Sequence, residues 1–170
     1  IKSKCKWIKL QLFENNNYIA IAKDLLIVND EQLIISKLAG YGITKQNDVV
    51  TLALWGSGNP RREFLYVDDM ADACLFVMQN VDFADLVTDK KEIRNTHINI
   101  GTGEDITIRD LADLIKDQIG FNGRIEFDST KPDGTIRKLQ DVSRLKELGW
   151  TSGVSLIGGI YKVLLDYGIN

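Results

Sequence analysis

Trp55, Arg62 and Asp133 are the residues of this chain whose types suit a phosphorylated ligand. An arginine stays charged, and its planar guanidinium forks onto a phosphate through two N–H donors. A tryptophan offers a flat apolar face and an indole N–H to a base or sugar. In "WGSGNPRREFLYVDDMADA", residues 55 to 73, Trp55 and Arg62 flank a Gly/Pro turn. That arrangement suits a nucleoside diphosphate, and it suits equally a tryptophan that ends a core strand beside a solvated turn. Asp133, in "KPDGT", could accept hydrogen bonds from sugar or ribose hydroxyls, and Lys138 could approach a phosphate; Pro-Asp-Gly is also a turn signal in its own right. The turns "GSGNP" and "GTGED" match neither GxGxxG nor GxxxxGK[ST], so their glycines read as turn formers. Cys5, Cys74 and His97 stand too far apart in sequence to suggest a metal site.

The elements that must position these residues are regular from Val49 onward. "VVTLALW" reads as a buried strand closed by Gly56, Gly58 and Pro60, and "REFLYV" as a short second strand. Asp68 or Asp69 is expected to cap a helix carrying Met70, Ala73, Cys74, Val77 and Met78 on one side. "THINIG" reads as a strand. Thr107 and Asp110 then stand in capping-box-like spacing before a helix whose Ile108, Leu111, Ala112, Ile115 and Ile119 share a face. "RIEFD" alternates as a strand, and "STKPDGTIRKL" is a polar loop, a candidate binding surface. Asp141 or Ser143 opens a short helix ending near Gly149, and Ser155 caps a last helix. The order is an irregular front, then β, β, α, β, α, β, α, α, a mixed α/β domain.

The chain has 170 residues, enough for one ordinary domain with a core of its own. Its 21 basic and 24 acidic residues nearly balance, which argues against a nucleic-acid binder or a membrane-surface binder and leaves a small anionic ligand open. No apolar run approaches the roughly 18 residues of a membrane-spanning helix, and no secretory signal pattern is seen, so a cytoplasmic location is expected. Residues 1 to 48 differ from the rest: lysine-rich at first, then an asparagine tract, and only approximately helical in pattern.

"WGSGNPRREFLYVDDMADA", "HINIGTGEDITIRDLADLI" and "FDSTKPDGTIRKLQDVSRLKELGW" resemble, in order, the carboxyl-terminal half of the GDP-L-fucose synthases, over roughly residues 49 to 165. These are extended short-chain dehydrogenase/reductases, with a doubly wound NADP-binding sheet followed by a smaller nucleotide-sugar-binding domain. The resemblance implies an α/β fold: a sugar-nucleotide-binding domain at 49–170 preceded by an incomplete Rossmann portion at 1–48. It implies NADP as cofactor, a GDP-sugar as substrate, and a homodimer. It places Trp55, Arg62 and Asp133 on positions that contact the GDP-sugar.

"NNNYIAIAKD" resembles the family's stretch with a catalytic tyrosine and a lysine that binds the nicotinamide ribose, which would make Tyr18 and Lys23 catalytic and Lys23 cofactor-binding. The family spaces the pair four residues apart; here they are five apart. On a helix, four residues leave two side chains about 40° apart and five about 140°, so this pair does not share a face. The family's amino-terminal glycine fingerprint and its cysteine motif are also absent. The expected function is that of a truncated GDP-L-fucose synthase, an NADPH-dependent epimerase and reductase inactive alone. The rivals are a noncatalytic nucleotide-sugar-binding module or partner subunit, and an epimerase or dehydratase acting on another nucleotide sugar.

Overall fold

The computed structural model describes residues 31–87 and 93–168. Helix α1 (Glu31–Ala39) leads into a hairpin of β1 (Ile43–Gln46) and β2 (Val49–Trp55). The hairpin loop is Asn47-Asp48, with φ of 46° and 63°. Two positive-φ residues are what a tight two-residue turn between right-twisted strands requires, and Asn and Asp tolerate them best. Strand β2 is apolar along its length because it is central: it pairs antiparallel with β1 and parallel with β5 (Arg124–Asp128), placing Trp55 opposite Asp128.

A second three-stranded sheet is built from two-residue strands. β3 (Arg61–Arg62) lies between β4 (Ile106–Thr107), antiparallel, and β6 (Arg137–Lys138), parallel. The second strand expected over "REFLYV" is thus confined to its first residue and the preceding Arg61. From Glu63 on, side-chain bonds take over: the Glu63 carboxylate accepts from the N–H groups of Gly103 at 2.6 Å and Gln140 at 3.0 Å. The polar loop expected at 129–139 contributes β6.

Helix α2 (Val67–Asn80) begins after Tyr66, which caps it without a side-chain bond. Asp68 and Asp69 are in its first turn, where they favour the positive end of the helix dipole rather than capping it. Asp69 is instead buried and accepts from Val154 N–H at 2.9 Å. The buried face of α2 also differs from the expected one. Ala73 is fully buried, and Phe76 and Val77 lie against it, whereas Met70, Cys74 and Met78 are exposed, Met78 at 81%. The inward face follows positions 69, 73, 76 and 77, because Leu145 and Trp150 come from the far side of the chain to meet it.

A short helix α3 (Phe83–Leu86) follows. Residues 96–101, expected as a strand, have no ladder partner among the described residues. Their polar groups bond to side chains and backbone across the chain: the His97 carbonyl accepts from Arg144 Nη1 at 2.8 Å, and Asn99 Nδ2 donates to the Asp141 carbonyl at 2.9 Å. Ile98 and Ile100 pack against the core.

Helix α4 (Ile108–Gln118) is capped as its sequence indicates: Thr107 Oγ1 accepts from Asp110 N–H at 2.9 Å and donates to the Asp110 carboxylate at 2.6 Å. Helix α5 (Ser143–Glu147) opens beside Asp141, whose carboxylate accepts from Ser143 N–H, and α6 (Leu156–Asp166) is capped by Ser155. Ala73, Leu145 and Trp150 centre the core, and the Trp150 indole N–H donates to Asp72 at 2.8 Å. The described residues thus form an α/β arrangement of helices with two three-stranded sheets of mixed direction, as the α/β reading expects.

Candidate functional site

A cavity of about 120 Å³ opens beyond the carboxyl ends of the parallel pair β2 and β5, where ligands of open α/β sheets characteristically bind. Trp55, Arg62 and Asp133 all line it, with Gly58, Pro60, Ile108, Pro132 and Gly134. Ligand pockets generally measure ~300–1,000 Å³, so this one has room for only part of a molecule of that size, and the rest would lie on the open surface. Trp55 supplies that surface: it ends β2 with 76% of its area exposed, and Lys131 Nζ stands 5.6 Å from its ring centroid.

The two neighbouring arginines have different partners because they lie on a strand and alternate sides. Arg61 is bound inward: its Nε donates to Asp105 Oδ1 at 2.7 Å and its Nη2 to the Asp105 carbonyl at 2.9 Å. Arg137 donates to the other carboxylate oxygen of Asp105, and the Asp105 side chain is only 4% exposed. Hydrogen bonds from Arg137 and Arg61 hold the Asp105 carboxyl below the usual carboxylate range. Arg62 faces the cavity instead. Its Nη1 donates to the carbonyls of Arg61 and Thr135, both at 2.7 Å, which fixes the guanidinium plane, and no described residue accepts from its Nε or Nη2.

Asp133 reaches the site across the loop and grips the opposite turn. Its Oδ1 accepts from Ser57 N–H and its Oδ2 from the Ser57 hydroxyl, both at 2.7 Å. These bonds, the hydroxyl's first, lower its pKa, so Asp133 is a carboxylate near neutral pH. An ionised carboxylate has about four acceptor sites, and two remain for a ligand hydroxyl. Gly56 makes the approach feasible: a side chain there, at φ 83°, would collide with Asp133 Oδ1.

The same turn is held from below by Arg109, whose Nη2 donates to the Ser57 carbonyl at 2.6 Å while its guanidinium stacks 4.0 Å from the Phe127 centroid. Ser57, Arg109 and Phe127 were not apparent from sequence: each acts over a long separation and none shows a local pattern. Glu63 left one trace, an acidic group inside an expected apolar strand.

Several backbone N–H groups of the two glycine turns are already engaged within the chain. Gly103 N–H donates to Glu63, Ser57 N–H to Asp133, and Gly56 N–H to the Asp128 carbonyl. Neither turn carries GxGxxG, and each runs into a strand, β3 or β4, rather than straight into a helix, so the described residues do not offer the pyrophosphate of a dinucleotide the cradle at a helix start that it needs. Tyr18 and Lys23 lie outside the described residues. His97 and Cys74 are exposed and away from the cavity lining, and no cluster of three His, Cys, Asp or Glu side chains that could hold a metal gathers among the described residues. Nor is any helix there long and apolar enough to cross a membrane.

Residues 29–101 match the model of the NAD dependent epimerase/dehydratase family. The chain is 50% identical over 119 residues to GDP-L-fucose synthase of Escherichia coli (strain K12), covering 69% of this chain and 36% of that protein. It is 47% identical over 116 residues to GDP-L-fucose synthase 1 of Arabidopsis thaliana, covering 68% of this chain and 32% of that protein. Among solved structures, a GDP-6-OMe-4-keto-L-xylo-heptose reductase from C. jejuni superposes with a TM-score of 0.78 at 37% identity, covering 97% of this chain and 45% of that one. The chain thus spans about a third of the length of these curated relatives and under half of that structure.

Proposed function

For a chain that is a relative of the GDP-L-fucose synthases within the NAD dependent epimerase/dehydratase family, we propose that the Trp55–Arg62–Asp133 cavity binds the nucleotide end of a GDP-sugar. Arg62 places its remaining donors on a phosphate, the Trp55 face takes a ring, and Asp133 accepts from a hydroxyl through its open lone pairs. Lys138, next along β6 and opposite Arg62 in register, supplies a second cation at the same edge. The observation that carries this reading is that three residues from three separate segments line one cavity at the ends of parallel strands.

The reaction we propose is that of an NADP-dependent epimerase and reductase that turns GDP-4-keto-6-deoxy-mannose into GDP-L-fucose, in a cytoplasmic homodimer; the similarity to proteins named GDP-L-fucose synthase supports the reaction class. Within that reading, residues 1–48 belong to the NADP-binding portion and residues 49–170 form the nucleotide-sugar domain. Tyr18 is the acid and Lys23 the cofactor ligand of the matching stretch, spaced five residues apart where the family spaces them four. This chain alone is then a nucleotide binder that does not turn over. The similarity to a putative UDP-glucose 4-epimerase of Methanocaldococcus jannaschii, 32% identical over 111 residues, keeps a second reading open, an enzyme of another nucleotide sugar. Calorimetric titration separates the two. GDP is expected to bind in preference to UDP, and Arg62→Ala to weaken it; equal affinity for both, or tighter UDP binding, defeats the guanine assignment. Added NADPH is expected to give no saturable fluorescence change.

A further inference from the structure

The turn at 56–60 and the loop at 131–134 carry opposite walls of the cavity, and Ser57 joins them. Its backbone N–H and its hydroxyl both donate to Asp133, one to each carboxylate oxygen, at 2.7 Å. The same hydroxyl accepts from Asn59 N–H at 3.1 Å, so the bridge also shapes the turn it starts from. The Ser57 carbonyl is held by Arg109 at 2.6 Å. One small residue therefore has its N–H and its hydroxyl engaged by the 131–134 loop and its carbonyl by helix α4. It lies two residues beyond Trp55, while Asp133 is two residues beyond Lys131, the cation over the Trp55 ring.

From this geometry we infer that Ser57 is a positioning residue of the nucleotide site: through Asp133 it latches the 131–134 loop onto the turn and sets the spacing between Trp55, Arg62 and the loop. The inference rests on the nucleotide reading of the cavity, but the latch itself is a property of the chain. Removing the hydroxyl leaves the N–H bond in place and frees one carboxylate oxygen, so the loop loosens without the fold being lost. A hydrogen bond to a charged group is strong enough that its loss lowers affinity roughly tenfold.

Two measurements on the full chain test this. Calorimetry with GDP should show Ser57→Ala weakened roughly tenfold and Ser57→Thr, which restores a hydroxyl, close to the parent. Adding Ser57→Ala to Asp133→Ala should cost nothing further, because the serine acts through the aspartate. Amide exchange should quicken in Ser57→Ala at Asp133, Gly134 and Thr135 and stay unchanged around Ala73 and Leu145. If exchange quickens as expected but the parent chain has no affinity for GDP, the latch stands and the nucleotide reading falls. Unchanged loop exchange in Ser57→Ala, or quickened exchange with unchanged GDP affinity, overturns the assignment of Ser57.

Discussion

The cavity edge and helix α2 are built in opposite ways. Around the cavity, charged side chains and tight turns are tied together by bonds from within the chain. Arg61 and Arg137 converge on Asp105, Ser57 on Asp133, and Gly103 on Glu63. Along α2 the apolar groups outnumber the surfaces that cover them: Ala73 is fully buried, while Val67, Leu75 and Met78 are 69%, 56% and 81% exposed. The difference separates two sources of order. Hydrogen bonds and ion pairs give the cavity its shape, and the small cluster of Ala73, Leu145 and Trp150 gives the lobe its cohesion. Polar networks fix geometry but add little net stability, whereas burial does the reverse.

The largest effect that sharpens this contrast is expected in the core. Leu145 is 1% exposed, and Leu145→Ala should cost about 2–5 kcal/mol, read as a lower urea midpoint by circular dichroism. If the cavity edge carried the cohesion instead, that midpoint would hardly move. Next is the cavity: Arg62→Ala should weaken GDP roughly ten- to hundredfold by calorimetry while leaving the urea midpoint within about 1 kcal/mol of the parent. A large stability loss with intact GDP binding would invert the comparison.

A smaller, pH-dependent effect belongs to Asp105. Its folded pKa lies below its unfolded value, so the stability it contributes is present above the unfolded carboxylate pKa and fades as pH falls through the folded one. Thermal midpoints taken downward from pH 6 should therefore drop in the acid range, and Asp105→Asn should flatten that part of the slope. Smallest in stability is the surface of α2: Leu75→Lys with Met78→Lys should reduce binding of a hydrophobic dye and leave GDP titrations unchanged. Dye binding that persists would place the sticky surface elsewhere.

Much of this was legible in the residues. The i, i+3, i+4 spacing from Ile108 marks α4, and Thr107 with Asp110 marks its start, because both signals are local. The runs "VVTLALW" and "RIEFD" mark the parallel pair, and the three ligand-type residues do meet at one cavity. What was not legible depends on long-range partners. The inward face of α2 is chosen by Leu145 and Trp150, some seventy residues on, and periodicity along the helix alone fits two faces. "THINIG" has the composition of a strand, yet its polar groups bond to Arg144 and Asp141. Ser57 and Glu63 carry no period at all, and their roles exist only once separate segments are adjacent.

Trp55 and Trp150 stand in contrasting surroundings, the first largely open to water and the second 5% exposed with its indole bonded to Asp72. An indole in water emits at longer wavelength than one shielded inside a protein, so the two are separable by colour. With Trp7→Phe removing the third fluorophore, the red component reports events at the cavity mouth and the blue component reports loss of the core. A single emission spectrum then tells a ligand from a denaturant.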